Sequence, residues 1–132
     1  MNTFHLEIVT PDGPVFSGEA ESLLVHTVEG DLEILAGHME MAAAVGIGRA
    51  RIIADGKDRL GAVSGGLLSV VGGEVKLAAV TFEFKEDIDL LRAEKSRLLA
   101  EEKIKNAKDN LALDSARAKL ERAIARINIA SK

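Results

Sequence analysis

The stretch FEFKEDIDLLRA, residues 82–93, divides the reading of this chain. Up to Phe84 the apolar residues tend to alternate, as along half-buried strands; beyond Lys85 they recur at three- and four-residue steps. All twelve glycines and both prolines lie before residue 74. Residues 85–132 are rich in Ala, Leu, Glu, Lys and Arg, the strong helix formers. The pattern predicts an α+β chain, with an N-terminal β-sandwich over residues 1–84 and a C-terminal antiparallel two-helix hairpin over residues 85–132.

Upstream of the divide, Phe4, Leu6 and Ile8 share one face of a run whose other face carries His5 and Glu7. Pro11-Asp12-Gly13-Pro14 reads as a turn. A second run covers residues 19–28 and stops near Glu29-Gly30. Asp55-Gly56, between Arg49–Ala54 and Lys57–Val63, suits a type I′ hairpin turn because both central positions need positive φ. Gly65-Gly66 and Gly72-Gly73 are expected to punctuate two further runs, the last reaching Phe84. Short strands at such spacing indicate a sandwich or barrel.

Downstream, Asn106-Ala107-Lys108-Asp109-Asn110 breaks the helical half in two. In the second helix Leu113, Ala116, Leu120, Ala123, Ile124 and Ile127 form an apolar stripe. In the first, Ile88, Leu91, Leu98 and Leu99 form a weaker one, interrupted by Lys95 and Glu102. So short a connection makes the helices antiparallel neighbours. A hairpin of this size buries little surface by itself, so it must dock on the sandwich or on a partner.

Composition narrows the function. The chain has 132 residues, 47% hydrophobic and 29% charged, with a net charge of −4. An acidic surface does not suit nucleic acid, whose phosphates call for a basic one. With no cysteine, disulfides and thiolate chemistry are excluded. The three histidines stand at no metal-ligand spacing, and no nucleophile or acid–base pair stands out, so the chain does not read as an enzyme. The absence of Trp and Tyr counts against a carbohydrate- or lipid-binding sandwich, which calls for an aromatic platform. No apolar run is long enough to span a membrane, and MNTFHLEIVT lacks the basic and apolar regions of a signal peptide. The expectation is a chain that stays in the compartment where it is made.

In layout and residues the chain resembles the ATP synthase epsilon subunit of the bacterial type. The opening FHLEIVTPDGPVFSGEAESLLVHTVEGDLEILAGH is similar to that family's first strands and Gly-His pair. VSGGLLSV at 63–70 is similar to its Ser-Gly-Gly hairpin, and IDLLRA at 88–93 to its Ile/Leu-Asp-x-x-Arg-Ala helix start. Ala36 and Glu40 stand where the family commonly has prolines. The resemblance implies a non-catalytic central-stalk subunit of a proton- or sodium-driven ATP synthase. Its sandwich would bind the gamma subunit and the polar loops of the c-ring. Its helices would lie folded on the sandwich or extend toward the catalytic alpha/beta heads, where they inhibit ATP hydrolysis. No cofactor is required, and in some bacterial members ATP is a regulatory ligand of the folded hairpin. Location would be peripheral, at the cytoplasmic face of the cell membrane, with membrane contact only through the complex.

Two sets of residues follow from the resemblance. Glu29, Asp31 and His38 are the expected partner-binding residues, beside the plainer readings of a turn and a loop histidine capping backbone groups. Ile88, Asp89, Arg92, Ala93, Arg122 and Arg126 are the expected ATP-binding residues. Relative to Leu120, Arg122 and Arg126 lie at about 200° and 240° around the second helix, together and off its stripe. Without a phosphate they are a solvated basic face, and Asp89 and Arg92 are a helix start complementing the dipole. ATP-binding relatives also carry a late arginine in the first helix, where this chain has Leu98-Leu99 and, nearest, Arg97.

Overall fold

In a computed structural model that describes residues 2–132, the alternating half forms seven strands. They are β1 (Phe4–Thr10), β2 (Gly13–Ala20), β3 (Ser22–Thr27), β4 (Gly30–Leu35), β5 (Met41–Ala54), β6 (Lys57–Val71) and β7 (Glu74–Phe84). Their order in the sheet is β2-β1-β7-β6-β5-β3-β4, antiparallel throughout except for the parallel pair β1–β7. Three strands separate β2 from β5 in that order, yet the two touch, so the sheet curls over itself into two layers. Leu6, Ile8, Leu23, Val25, Ile34, Ile52, Leu68 and Leu77 fill the space between them with 0% exposure. The core is aliphatic, edged by Phe4, Phe82 and Phe84.

The turn at Asp55-Gly56 has φ of 53° and 71°, as its sequence requires. Gly65-Gly66, by contrast, ends no strand and makes no hairpin. β6 runs unbroken through both, with φ of 66° and 134°, and the reversal falls at Gly72-Gly73. The pair is a crease. Before it the core-facing residue is Val63, an odd position; after it the core takes Leu68 and Val70, even ones. β7 makes the same switch, from Val75, Leu77 and Ala79 to Phe82 and Phe84, and Ala79 is the register partner of Gly66. A Cβ on Gly66 would stand 2.2 Å from the Ala78 carbonyl oxygen, so only glycine fits. The run expected over residues 19–28 is likewise divided, at Glu21 between β2 and β3.

A single 3-10 turn, Lys85–Asp87, leads from β7 to α1 (Leu90–Lys105), followed by α2 (Asn110–Ala130). Arg59 on β6 pins the junction: its guanidinium lies 3.6 Å over the Phe84 ring and donates to Glu86 Oε1 at 2.7 Å. Each helix starts on an aspartate. Asp89 Oδ1 accepts the Arg92 N–H at 3.1 Å and Asp109 Oδ1 accepts the Ala112 N–H at 2.7 Å. The hairpin docks on the sandwich through α2, which lies on β5 and β6, while α1 packs on α2. Ala62, opposite in phase to core-facing Val63, is buried on this outer side.

The stripe expected on α2 is largely its buried face, with Ala116 and Ala123 buried and Leu113, Leu120 and Ile127 half-buried; the leucines expected to face inward on α1 do not. Leu91, Leu98 and Leu99 are 78%, 58% and 58% exposed, and Ile124 is exposed as well. The side chains that the helices bury are Ala93 and Ala100 in α1, and Ala116, Ala123 and Ile129 in α2. Both alanine pairs are spaced seven apart, so the seam repeats every two turns. On α1 the seam takes alanine, the smallest side chain with a Cβ, and counting leucines there picks the wrong face.

Candidate functional site

The start of α1, the end of β7 and the middle of α2 enclose a cleft of about 430 Å3. Asp89, Arg92, Ala93 and Ser96 line it from α1, Glu83 from β7 and Arg126 from α2. Capping decides how α1 enters this cleft. Asp89 Oδ1 accepts the Arg92 backbone N–H, as a residue capping a helix start does, and the Arg92 side chain is exposed. Ile88 is half-buried; its N–H donates to the Lys85 carbonyl at 3.2 Å, closing the turn before the helix.

Arg126 is already engaged. Its Nε donates to Glu83 Oε1 at 2.5 Å, with the two side chains 26% and 37% exposed. This pair ties α2 to β7, residues 43 positions apart. A second cleft, of about 250 Å3, continues between the helices, lined by Ser96, Ala100, Lys103, Lys119, Arg122 and Arg126. Ser96 and Arg126 belong to both. The structure therefore brings Asp89, Arg92, Ala93 and Arg126 to one cleft and Arg122 to its neighbour, and leaves Ile88 behind the helix start.

Glu83, Ser96, Lys103 and Lys119 line these clefts too, and sequence reasoning did not single them out. Alternation carried a signal for Glu83, which lies between core-facing Phe82 and Phe84 and so points outward beneath the helices. For Ser96 the signal was helical spacing, one turn beyond Arg92.

On the sandwich, Glu29, Asp31 and His38 lie along β4, an edge strand. Glu29 is exposed in the turn before it, its N–H donating to Thr27 Oγ1 at 3.2 Å. Asp31 sits between His26 Nδ1 at 3.0 Å and Arg49 Nη2 at 3.1 Å. The His26 hydrogen bond, and after it that of Arg49, hold the Asp31 carboxyl below the usual carboxylate range. His38 is at the other end of the strand: its N–H donates to the Leu35 carbonyl at 3.2 Å and its Nδ1 is 3.0 Å from the Met39 carbonyl. Asp31 and Leu35 alone are about 13 Å apart along the strand, so the three share an edge without forming a cluster. Among the described residues no group of His, Asp and Glu is placed to hold a metal, and no helix is long and apolar enough to cross a membrane.

The fold and site define a sandwich carrying a docked two-helix arm, with Arg92, Arg122 and Arg126 lining the clefts beside the helix seam. The chain belongs to the ATP synthase delta/epsilon chain family: residues 3–85 match its beta-sandwich domain and residues 86–131 its long alpha-helix domain. ATP synthase epsilon chains of Shouchella clausii and Bacillus velezensis are each 38% identical over 130 residues, covering 98% of this chain and 96% and 98% of theirs. That of Bacillus pumilus is 38% identical over 134 residues, with full coverage of both chains. A chain in the cryo-EM structure of the Euglena gracilis mitochondrial ATP synthase OSCP/F1/c-ring superposes with a TM-score of 0.84 at 21% identity, covering 100% of this chain and 83% of that one. For a chain of the Tetrahymena thermophila central stalk/c-ring the values are 0.66 and 11%, covering 96% and 95%. At those identities the likeness is one of fold.

Proposed function

We propose that this chain is the epsilon subunit of an ATP synthase central stalk, non-catalytic, and that its hairpin is a regulatory arm held down by ATP. The sandwich edge carrying Glu29, Asp31 and His38 serves assembly with the gamma subunit and the polar loops of the c-ring. The arm inhibits hydrolysis when it extends toward the alpha/beta heads. The subunit is then peripheral at the cytoplasmic face of the membrane and touches it only through the complex.

The observation that carries the reading is Arg92 and Arg126, from different helices, lining one cleft beside the Asp89 cap. Guanidinium groups stay charged and donate paired hydrogen bonds, which suits phosphate. Arg126 spends one N–H on Glu83 and keeps its others for a ligand. ATP bound only in the folded state stabilises that state by RT ln(1 + [L]/Kd), about 2.7 kcal/mol at a hundredfold excess over Kd. Isothermal titration of the isolated subunit with ATP tests this. Wild type should bind, and Arg92→Ala and Arg126→Ala should each weaken binding at least tenfold. Absence of heat at millimolar ATP removes the nucleotide from the proposal.

A further inference from the structure

Four cations line the cleft between α1 and α2, Lys103 from α1 and Lys119, Arg122 and Arg126 from α2, and no carboxylate lines it with them. Among the described residues only Arg126 of these four is salt-bridged, to Glu83. Lys103 and Lys119 also share the adjoining groove toward the interhelical turn, where Glu102 and Lys108 are the other charged residues. The two ammonium groups thus face each other across the hairpin. Contact with Lys103, then the Lys103 charge, desolvation and Arg122, push the Lys119 ammonium below its ordinary pKa. Lys119 and Arg122 are three residues apart on α2 and neighbours on one helix face. Ammonium against ammonium opposes docking of the two helices. A negative charge on one of the two nitrogens reverses the sign.

We propose that Lys119 is a carbamylation site for carbon dioxide, with the carbamate held between Lys103 on the facing helix and Arg122 on its own. Only the neutral amine reacts, and an adjacent cation makes that form more abundant. The nitrogen lone pair forms an N–C bond to the carbon of CO2, one C=O pair withdraws onto oxygen, and the nitrogen releases a proton to water. Lys119 passes from one positive charge to one negative. No oxidant is consumed and no leaving group departs, and the step needs no nucleotide. The product is a planar carboxylate, which accepts from an ammonium and a guanidinium at once. Carbon dioxide suits the site better than an activated acyl donor. Acylation also removes the Lys119 charge, but the amide it leaves is neutral and gives Lys103 and Arg122 no counter-charge. Both lysines are exposed, so a molecule as small as CO2 reaches the amine without movement of the helices.

The test equilibrates the full chain with isotope-labelled bicarbonate and CO2 at mildly alkaline pH, without nucleotide and at constant ionic strength. Carbamates are then trapped by alkylation and mapped by peptide. Lys119 should carry at least tenfold more label than the average of the other lysines. Lys119→Arg, which keeps the charge, should lose that label while its circular dichroism stays that of wild type. Lys103→Gln, which removes both the neighbouring cation and the counter-charge, should lower labelling of Lys119 at least threefold. In wild type the label should fade as pH drops, because protonation removes the reactive amine, with a midpoint below that of the other lysines. Raising CO2 at fixed pH should raise the melting temperature of the helical signal in wild type and leave that of Lys119→Arg unchanged. Label spread evenly over the lysines, or a Lys119 label that Lys103→Gln does not lower, overturns the proposal. So does a melting shift without trapped label, which is bicarbonate bound as a free anion, or one that Lys119→Arg retains.

Discussion

Asp31 shows how a residue's reading changes once its neighbours are known. In sequence it is one acid of a Glu-Gly-Asp turn; in the fold it is the ion-pair centre between His26 on β3 and Arg49 on β5. Its depressed carboxyl pKa fixes a direction for acid sensitivity. A carboxylate whose folded pKa lies below its unfolded value stabilises the fold above the unfolded pKa, and that contribution vanishes as pH falls through the folded one. The unfolded value is near 3.8. Asp31→Asn should therefore melt at most a few degrees below wild type at neutral pH, since exposed pairs contribute little. The two melting curves should converge as pH falls through the range below that value. A difference that persists undiminished in strong acid would show that the carboxylate charge is not what matters. Glu29 has no such tie, so among the three edge residues it is the acid most available to a partner.

At the scale of elements, strand alternation carried most of what could be read. The β1 face and the Asp55-Gly56 turn follow from periodicity and positive φ. Gly65-Gly66 was misread because a glycine pair signals a reversal and a crease equally well; only the neighbouring β7 backbone, whose Ala78 oxygen lies 2.2 Å from where a Gly66 Cβ would stand, distinguishes them. Gly66→Ala should cost about 3 kcal/mol or more, combining that clash with an unfavourable φ. Gly56→Ala, with open space around it, should cost only about 1 kcal/mol. Urea midpoints of the two variants compare them directly, and equal losses would contradict the crease. The α2 side of the helix seam was legible, since its stripe included Ala116 and Ala123; the α1 side was not, because hydrophobic periodicity weighs leucine over alanine, whereas close packing rewards the smaller side chain. Ala100→Leu should destabilise the docked hairpin by about 1–3 kcal/mol. Leu98→Ala, on the solvent face, should stay within about 0.5 kcal/mol. Hydrogen exchange of the α1 amides measures both; the reverse ranking would restore the leucine stripe as the buried face.

For the whole molecule the question is which half depends on the other. The sandwich core contains no residue from the helices: its members run from Phe4 to Phe84. Conversely, apart from four alanines, the helices bury only Ile129, too little apolar surface to hold two helices in place unaided. The hairpin is thus a dependent element, tied down by α2 on β5 and β6, by the Glu83–Arg126 pair and by the Arg59–Glu86 junction. Of these ties the sequence showed only that some docking was required, since pairs 27 and 43 positions apart leave no local trace. The asymmetry predicts that residues 1–86 fold alone with a β-type circular dichroism spectrum. It also predicts that the intact chain loses α2 amide protection in hydrogen exchange before core-strand protection. Under the proposed function, the same asymmetry would let the arm leave its dock in an assembled motor without unfolding the subunit. Removing residues 88–132 should then leave assembly intact and raise ATP hydrolysis, measured as the rate of ATP consumption by the purified complex. Unchanged hydrolysis in an assembled complex would show that the arm does not inhibit in this chain, and an unfolded 1–86 fragment that the sandwich needs α2 to stand.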